Sequence, residues 1–185
     1  MELDMIKQKV LEDVDPQLKE QKKRERRKTR MVITVQFLML IALILFIFYL
    51  LMGISTVKGE SMYPTLHDKD VTVYYRIRRQ YKAGDVVVIK RPEDEEYVKR
   101  IVAVAGDTVN IQAGKLYVNG DEKAFSGAIG DTNRVEDAIQ YPVTIKDDEV
   151  FVLGDNRMNS EDSREFGAVK TEDVKGKIIW YIGKL

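Results

Sequence analysis

YVKRIVAVAGD, Tyr97 to Asp107, is the stretch on which the fold turns. It is rich in β-branched and small apolar residues, shows no helical period and stops at a Gly-Asp turn signal, so it reads as a strand. Alternation sets Tyr97, Lys99, Ile101 and Ala103 on one face and Val98, Arg100, Val102 and Val104 on the other. The same texture extends in both directions from residue 53 on. Val71–Tyr75, Asp85–Lys90, Thr108–Ile111, Lys115–Val118, Glu149–Leu153 and Lys177–Tyr181 are further predicted strands, and the Tyr97 strand runs to Ala105. Asn119-Gly120 is a two-residue hairpin turn signal, because both residues tolerate positive φ. Ala113-Gly114 marks a second turn. Residues 121–147 are polar and mixed and disclose no element. No long amphipathic helical period occurs beyond residue 53, so the class is mainly β.

Outward toward the N-terminus the chain changes character. Met31 to Met52 is 22 residues without a charge, MVITVQFLMLIALILFIFYLLM. As a helix it reaches about 30 Å, the thickness of a bilayer's hydrocarbon. A buried core helix of a small domain keeps a polar face, whereas here Thr34, Gln36 and Tyr49 are scattered. The reading is a transmembrane helix. Lys22 to Arg30, KKRERRKTR, places seven basic residues against its N-terminal end, and Lys58 is the first basic residue beyond it. The positive-inside rule then sets the N-terminus in the cytoplasm. A cleavable signal peptide has a shorter apolar core and a small-residue site after it, and GISTVKGE offers none. The expected layout is a basic cytoplasmic segment over residues 1–30, a span over 31–52 and an extracytoplasmic domain over 53–185. The location is the plasma membrane, with one pass and the lipid bilayer as partner.

Composition narrows the chemistry. Net charge is zero overall. Residues 1–30 carry ten Lys/Arg against seven Asp/Glu, while 53–185 carry 20 against 23. An acidic main domain argues against nucleic acid as partner. The chain has no cysteine, which excludes disulfides, thiolate catalysis and Cys-based zinc sites. His67 is the one histidine. It follows a Pro-Thr-Leu turn, is expected at the surface, and removes most metal-site and Ser-His-Asp readings.

Three segments carry candidate chemistry. In GESMYPTL, Gly59 to Leu66, a serine beside a glycine and before a proline turn can hold its hydroxyl and backbone N–H toward a ligand. Taken alone, such a serine is usually an ordinary turn residue. Lys99 shares its strand face with apolar neighbours. Such a lysine either reaches water at a strand end or is desolvated, and desolvation lowers its pKa enough for it to serve as a general base. Gly154 to Arg164, GDNRMNSEDSR, follows the apolar run VFVL and suits a hydrogen-bonded loop beneath a site. Asp162 and Arg164 can pair there, and Ser160 can orient another polar group.

In their order behind an N-terminal anchor, these segments and GDVVVIK (Gly84–Lys90) resemble the boxes of type I signal peptidases, Ser/Lys enzymes that remove signal peptides from exported proteins. The resemblance covers roughly residues 55–170 and thins over 112–148. It implies a mainly β domain of packed antiparallel sheets behind a single N-terminal transmembrane helix, acting on signal peptides of secreted preproteins with no metal and no cofactor. Position by position it implies Ser61 as nucleophile and Lys99 as its base. Ser160 would hydrogen-bond the Lys99 amine, Asp162 would pair with Arg164, and Asp155 would stand near Arg100. Tyr97, Val98, Met62 and Leu66 would wall shallow pockets that favour small residues before the cut. Gly59 departs from members with a serine there, which shifts oxyanion binding to the backbone. The absence of a second anchor and of large insertions is similar to the compact Gram-positive form. A self-cleaving repressor-type Ser/Lys peptidase is the rival within this chemistry, but it would carry a DNA-binding domain where the span lies. A specialised or non-catalytic relative in surface-protein or pilus assembly is the alternative function. Oligomeric state is not legible.

Overall fold

In the computed structural model the described residues are 4–7, 10, 16–77 and 80–183. The chain divides into two compact units, Met1–Tyr49 and Leu50–Leu185. Parts of the expected 1–30 segment, and the last two residues of the expected 53–185 domain, lie outside the described residues.

The first unit is dominated by helix α1, which runs from Pro16 to Leu51 without a break. It is longer than the apolar span because the charged Lys22–Arg30 stretch is also made of good helix formers. Its apolar residues from Met31 to Leu50 are exposed around the helix. Among the described residues it is the one helix long and apolar enough to cross a membrane. The helix stops at Leu51, one residue before the end of the expected 31–52 span, and Met52 opens the first strand, β1 (Met52–Thr56). That strand went unseen because MGIST continues the apolar run and carries no alternation of its own.

The second unit is mainly β, and every strand pairing within its two sheets is antiparallel. A seven-stranded sheet has the order β1-β2-β11-β3-β4-β9-β10. Its members after β1 are β2 (Val71–Tyr75), β3 (Val86–Lys90), β4 (Glu96–Val104), β9 (Glu149–Leu153), β10 (Val169–Lys170) and β11 (Val174–Ile182). A four-stranded sheet, β7-β6-β5-β8, is built from β5 (Thr108–Gln112), β6 (Lys115–Val118), β7 (Asp121–Glu122) and β8 (Val143–Thr144). Asn119 and Gly120 both take positive φ, 56° and 87°, as do Ala113 and Gly114, so both predicted turns are primed hairpin turns. All seven predicted strands form. The short β7, β8 and β10, at two residues each, are below what a pattern can reveal.

Three apolar clusters hold this unit. Val102, Ala103, Phe151 and Leu153 of the large sheet meet Val109, Ile111, Leu116 and Val118 of the small one, joining the two sheets. Val87, Ile89, Ile101, Val150 and Val152 form a second cluster with Val169 and Val174. Met62, Leu66, Val57, Tyr74, Val88 and Val98 form the third, beneath the Ser61 turn. Each fully buried side chain of this size contributes about 1.5–3 kcal/mol.

The expected alternation along β4 holds only in part. The β4–β9 register shifts between Ile101 and Ala103. Beyond that bulge Ala103 joins Val102 in the inter-sheet cluster, and Val104 packs with Tyr97 and Ile101. One extra residue in a strand flips the faces that follow it. Lys99 and Arg100 precede the bulge, so their opposite facing is preserved.

Tyr74 is clamped by two glycines. A Cβ at Gly53 would stand 2.2 Å from the Tyr74 ring, and one at Gly176 would stand 2.2 Å from the Tyr75 carbonyl and 2.8 Å from the ring. Gly176→Ala is therefore expected to destabilise the β unit by about 1–3 kcal/mol, the usual cost of overpacking, read as a lowered unfolding midpoint of the full chain in detergent.

Candidate active site

Three elements bring the sequence candidates together. The first is the turn Ser61–Leu66, closed by Tyr63 N–H on the Glu60 carbonyl (3.1 Å) and Leu66 N–H on Met62 (2.9 Å). Its base is pinned where Val57 N–H reaches the Asp70 carbonyl and Lys69 N–H reaches Val57, both at 2.8 Å. Gly59, at φ 76°, turns the chain into it and donates its N–H to Asp68 Oδ1 at 2.8 Å. That backbone region favours glycine over any residue with a Cβ, which accounts for the glycine at this position.

The second element is β4, which carries Lys99. Its side chain is only 3% exposed, and its Nζ donates to Ser61 Oγ at 2.9 Å. Nζ also lies 5.4 Å from the centroid of the Tyr97 ring, its neighbour on the same strand face. Burial is the dominant influence on this amine and pushes its pKa down to about 8, against weaker upward pulls from Asp162, Glu161 and Glu165.

The third element is the loop 154–164. Asp162 caps the short helix α2 (Ser163–Phe166) by accepting from the Arg164 N–H. Its carboxylate takes both prongs of the Arg164 guanidinium, at 2.8 and 3.0 Å, and the Gly154 N–H at 3.0 Å. Asp155 is fully buried and takes Arg100 Nε and Nη2, each at 2.7 Å, with the Thr65 hydroxyl as a further donor. Asp162, the acid that acts most strongly on the amine, is thus occupied by Arg164, and Asp155 by Arg100. Among the described residues no carboxylate forms an ion pair with Lys99.

Two expectations need correction. Ser160 does not hydrogen-bond Lys99: its hydroxyl is buried with no partner. It is turned onto Gly154, where a Cβ would stand 2.2 Å from Ser160 Oγ and 2.6 Å from the Ser61 carbonyl. The bare Cα of Gly154 thus gives the room that Ser160 occupies. Met62 and Leu66 do not wall the cleft. They are 0% and 1% exposed and belong to the cluster beneath it, because the helical closure of the Ser61 turn points both inward.

The cleft beside Ser61 has a volume of about 290 Å³. It is lined by Val57 and Lys58, by Glu95 to Lys99 and by Glu161. Tyr97 and Val98 do line it, and Tyr97 Oη donates to Glu161 Oε2 at 3.1 Å. Glu161 and Lys58 escaped sequence reasoning, since a charged residue in a polar loop carries no signal of its own. Asn156 escaped it too. Its backbone N–H holds the Ser61 carbonyl at 3.0 Å. His67 is exposed, as expected, with its ring edge against Tyr63.

The chain matches the family model described as signal peptidase, peptidase S26, over residues 28–182, and it belongs to that family. A signal peptidase I of Bacillus amyloliquefaciens is 39% identical over 117 residues, which is 58% of this chain and 63% of that protein. Signal peptidase I S of Bacillus subtilis is 35% identical over 138 residues, 68% of this chain and 74% of that one. A crystal structure of a signal peptidase I from Enterococcus faecalis aligns with a TM-score of 0.48 at 26% identity, covering 56% of this chain and 100% of that chain. The relatives are Gram-positive, and the chain is an enzyme of this type.

The desolvated amine has a measurable signature. Its folded pKa, about 8, lies below the value of 10.5 it has when exposed. The unfolded chain therefore binds more protons between those two values, and stability rises with pH across that window. Below pH 8 the penalty is full. Lys99→Met keeps the length and removes the charge. It is expected to be more stable than the wild type by roughly 2–3 kcal/mol at pH 7, with the gap closing toward pH 10.5. Unfolding midpoints at several pH values check this, and a variant less stable at pH 7 would refute desolvation of the amine.

Proposed function

We propose that this chain is a membrane-bound serine endopeptidase that cleaves N-terminal signal peptides from exported preproteins after small residues of the Ala-x-Ala type. One observation carries the reading: a buried lysine amine whose hydrogen bond goes to a serine hydroxyl 2.9 Å away, at the mouth of an open cleft. Family membership supports it.

In this reading neutral Lys99 accepts the Ser61 proton along that contact as Oγ attacks the scissile carbonyl. The tetrahedral oxyanion takes the Ser61 backbone N–H, and Gly59 adds no hydroxyl. Lys99, now an ammonium, returns the proton to the departing amine, so the peptide C–N bond breaks and an ester to Ser61 remains. Water then loses a proton to Lys99 and attacks the ester; as the ester C–O bond breaks Lys99 passes that proton to Ser61 Oγ, releasing the signal peptide as a carboxylic acid and restoring both residues. Lysine suits this role because its desolvated amine can be neutral, which arginine's guanidinium cannot. Asp162–Arg164 and Asp155–Arg100 act as braces. By holding the Asp162 carboxylate, Arg164 keeps that charge from pairing with the amine and raising its pKa. Ser160 stands in the same loop as a positioning residue. The residues before the cut lie extended between the Val57–Lys58 edge and Tyr97–Val98, in the manner of an added strand. Residues 1–30 are cytoplasmic, 31–52 span the bilayer, and 53–185 work outside, on the strength of the seven basic residues that precede the span.

Cleavage of a preprotein with an Ala-x-Ala site by the purified full chain in detergent tests this, with the new N-terminus identified by mass spectrometry. Ser61→Ala, Lys99→Ala and Lys99→Arg should each lose roughly 10³-fold or more in kcat. Wild-type turnover in any of them would overturn the dyad. The profile of kcat/KM should rise through an acid limb near pH 8, as the amine loses its proton. A limb near pH 6 would instead point to a different base.

A further inference from the structure

Ser61 has a second side. Outside the cleft lining, the segment that yielded no element in the sequence sends a strap across the loop 154–164. Ile129 N–H donates to the Asp155 carbonyl at 2.8 Å, and the Ile129 carbonyl accepts from Arg157 N–H at 3.0 Å. The strap thus lies alongside Asn156 as a parallel bridge. Asn156 in turn donates its N–H to the Ser61 carbonyl at 3.0 Å and its side-chain amide to the Glu60 carbonyl at 3.2 Å. Two hydrogen-bonded steps therefore link Ile129 to the nucleophile's own backbone.

Two apolar side chains stand exposed on this rim, Ile129 at 38% and Met158 at 69%. They are held together. Gly130 takes φ 78°, and a Cβ there would stand 2.8 Å from Met158 Cγ, so the methionine lies directly over the strap. No step of the reaction above uses either residue.

We propose that Ile129 and Met158 form the surface that receives the first residues after the cut and favours an apolar side chain there. The inference rests on the peptidase reading. With the residues before the cut in the cleft, the chain after it is placed over the 154–158 segment, because Asn156 there is bonded directly to the Ser61 carbonyl. At about 3.3 Å per residue, its second and third residues lie about 7–10 Å beyond the scissile bond. Two neighbouring-strand steps of about 5 Å from Ser61 to Ile129 cover the same distance. The Ile129 backbone is already spent on Asp155 and Arg157, so recognition here falls to side chains rather than to an added strand. A stiff β-branched wall beside a pliable thioether suits apolar residues of varied shape.

The experiment compares two substrates with identical residues before the cut. One is a preprotein carrying Leu or Val at the second and third positions after it. The other is a peptide ending directly after the cut in a fluorogenic coumarin amide. The full chain in detergent is assayed as wild type, Ile129→Ser, Met158→Ser and the double variant, with thermal unfolding as the check on folding. The double variant should lower the preprotein-to-peptide ratio of kcat/KM roughly tenfold, the order expected for losing an apolar contact. The loss should lie in KM for the preprotein rather than in kcat, and it should vanish when the two positions are made Gly. An unchanged ratio, or equal loss on both substrates, overturns the proposal. A wild type that cleaves neither substrate refutes the peptidase reading instead, and the inference falls with it.

Discussion

The structure depends on one electrostatic constraint: an amine is buried beside a hydroxyl, and Asp162, the carboxylate that acts on it most, is already taken by Arg164. A lysine facing a free buried aspartate would form an ion pair and hold its proton through the alkaline range. Here Asp162 is committed to Arg164 and the Gly154 N–H, and Asp155 to Arg100 and Thr65. Desolvation is left as the dominant influence, and it brings the Lys99 pKa to about 8. The arginines are always charged, so this partition does not change with pH in the working range.

The fold keeps that partition in place with ordinary packing. The Met62–Leu66–Val98 cluster anchors the Ser61 turn to β4 from below. The inter-sheet cluster anchors β9, and the loop 154–164 hangs from the end of β9. Glycines set the closest approaches: Gly154 lets Ser160 and the Ser61 carbonyl crowd one point, and Gly59 turns the chain toward Ser61. Small residues thus do as much to shape the site as the polar residues that occupy it.

Much of this was legible. The seven strands with clear alternation or β-branched runs all formed, and both turns flagged by a residue pair before or at glycine took positive φ. Ser61, Lys99, Asp162, Arg164 and Asp155 could be named because their segments, each ambiguous alone, together resemble the boxes of one family in its order. Met62 and Leu66 were misplaced because a pattern does not tell which side of a turn faces the core. Ser160 was placed in the right loop, yet its hydroxyl direction depends on Gly154, six residues earlier, and no local signal carries that.

The sequence by itself determined the apolar helix, the mainly β class and the chemical inventory, with a single histidine and no cysteine. Those follow from periodicity, hydropathy and composition, which are local. Only the tertiary structure decided that Ser61 Oγ and Lys99 Nζ, 38 residues apart, would stand 2.9 Å from each other with the amine out of water. Burial and distance belong to packing between distant segments. The bulge in β4, the arginine claims on both aspartates and the strap through Ile129 are all products of that packing.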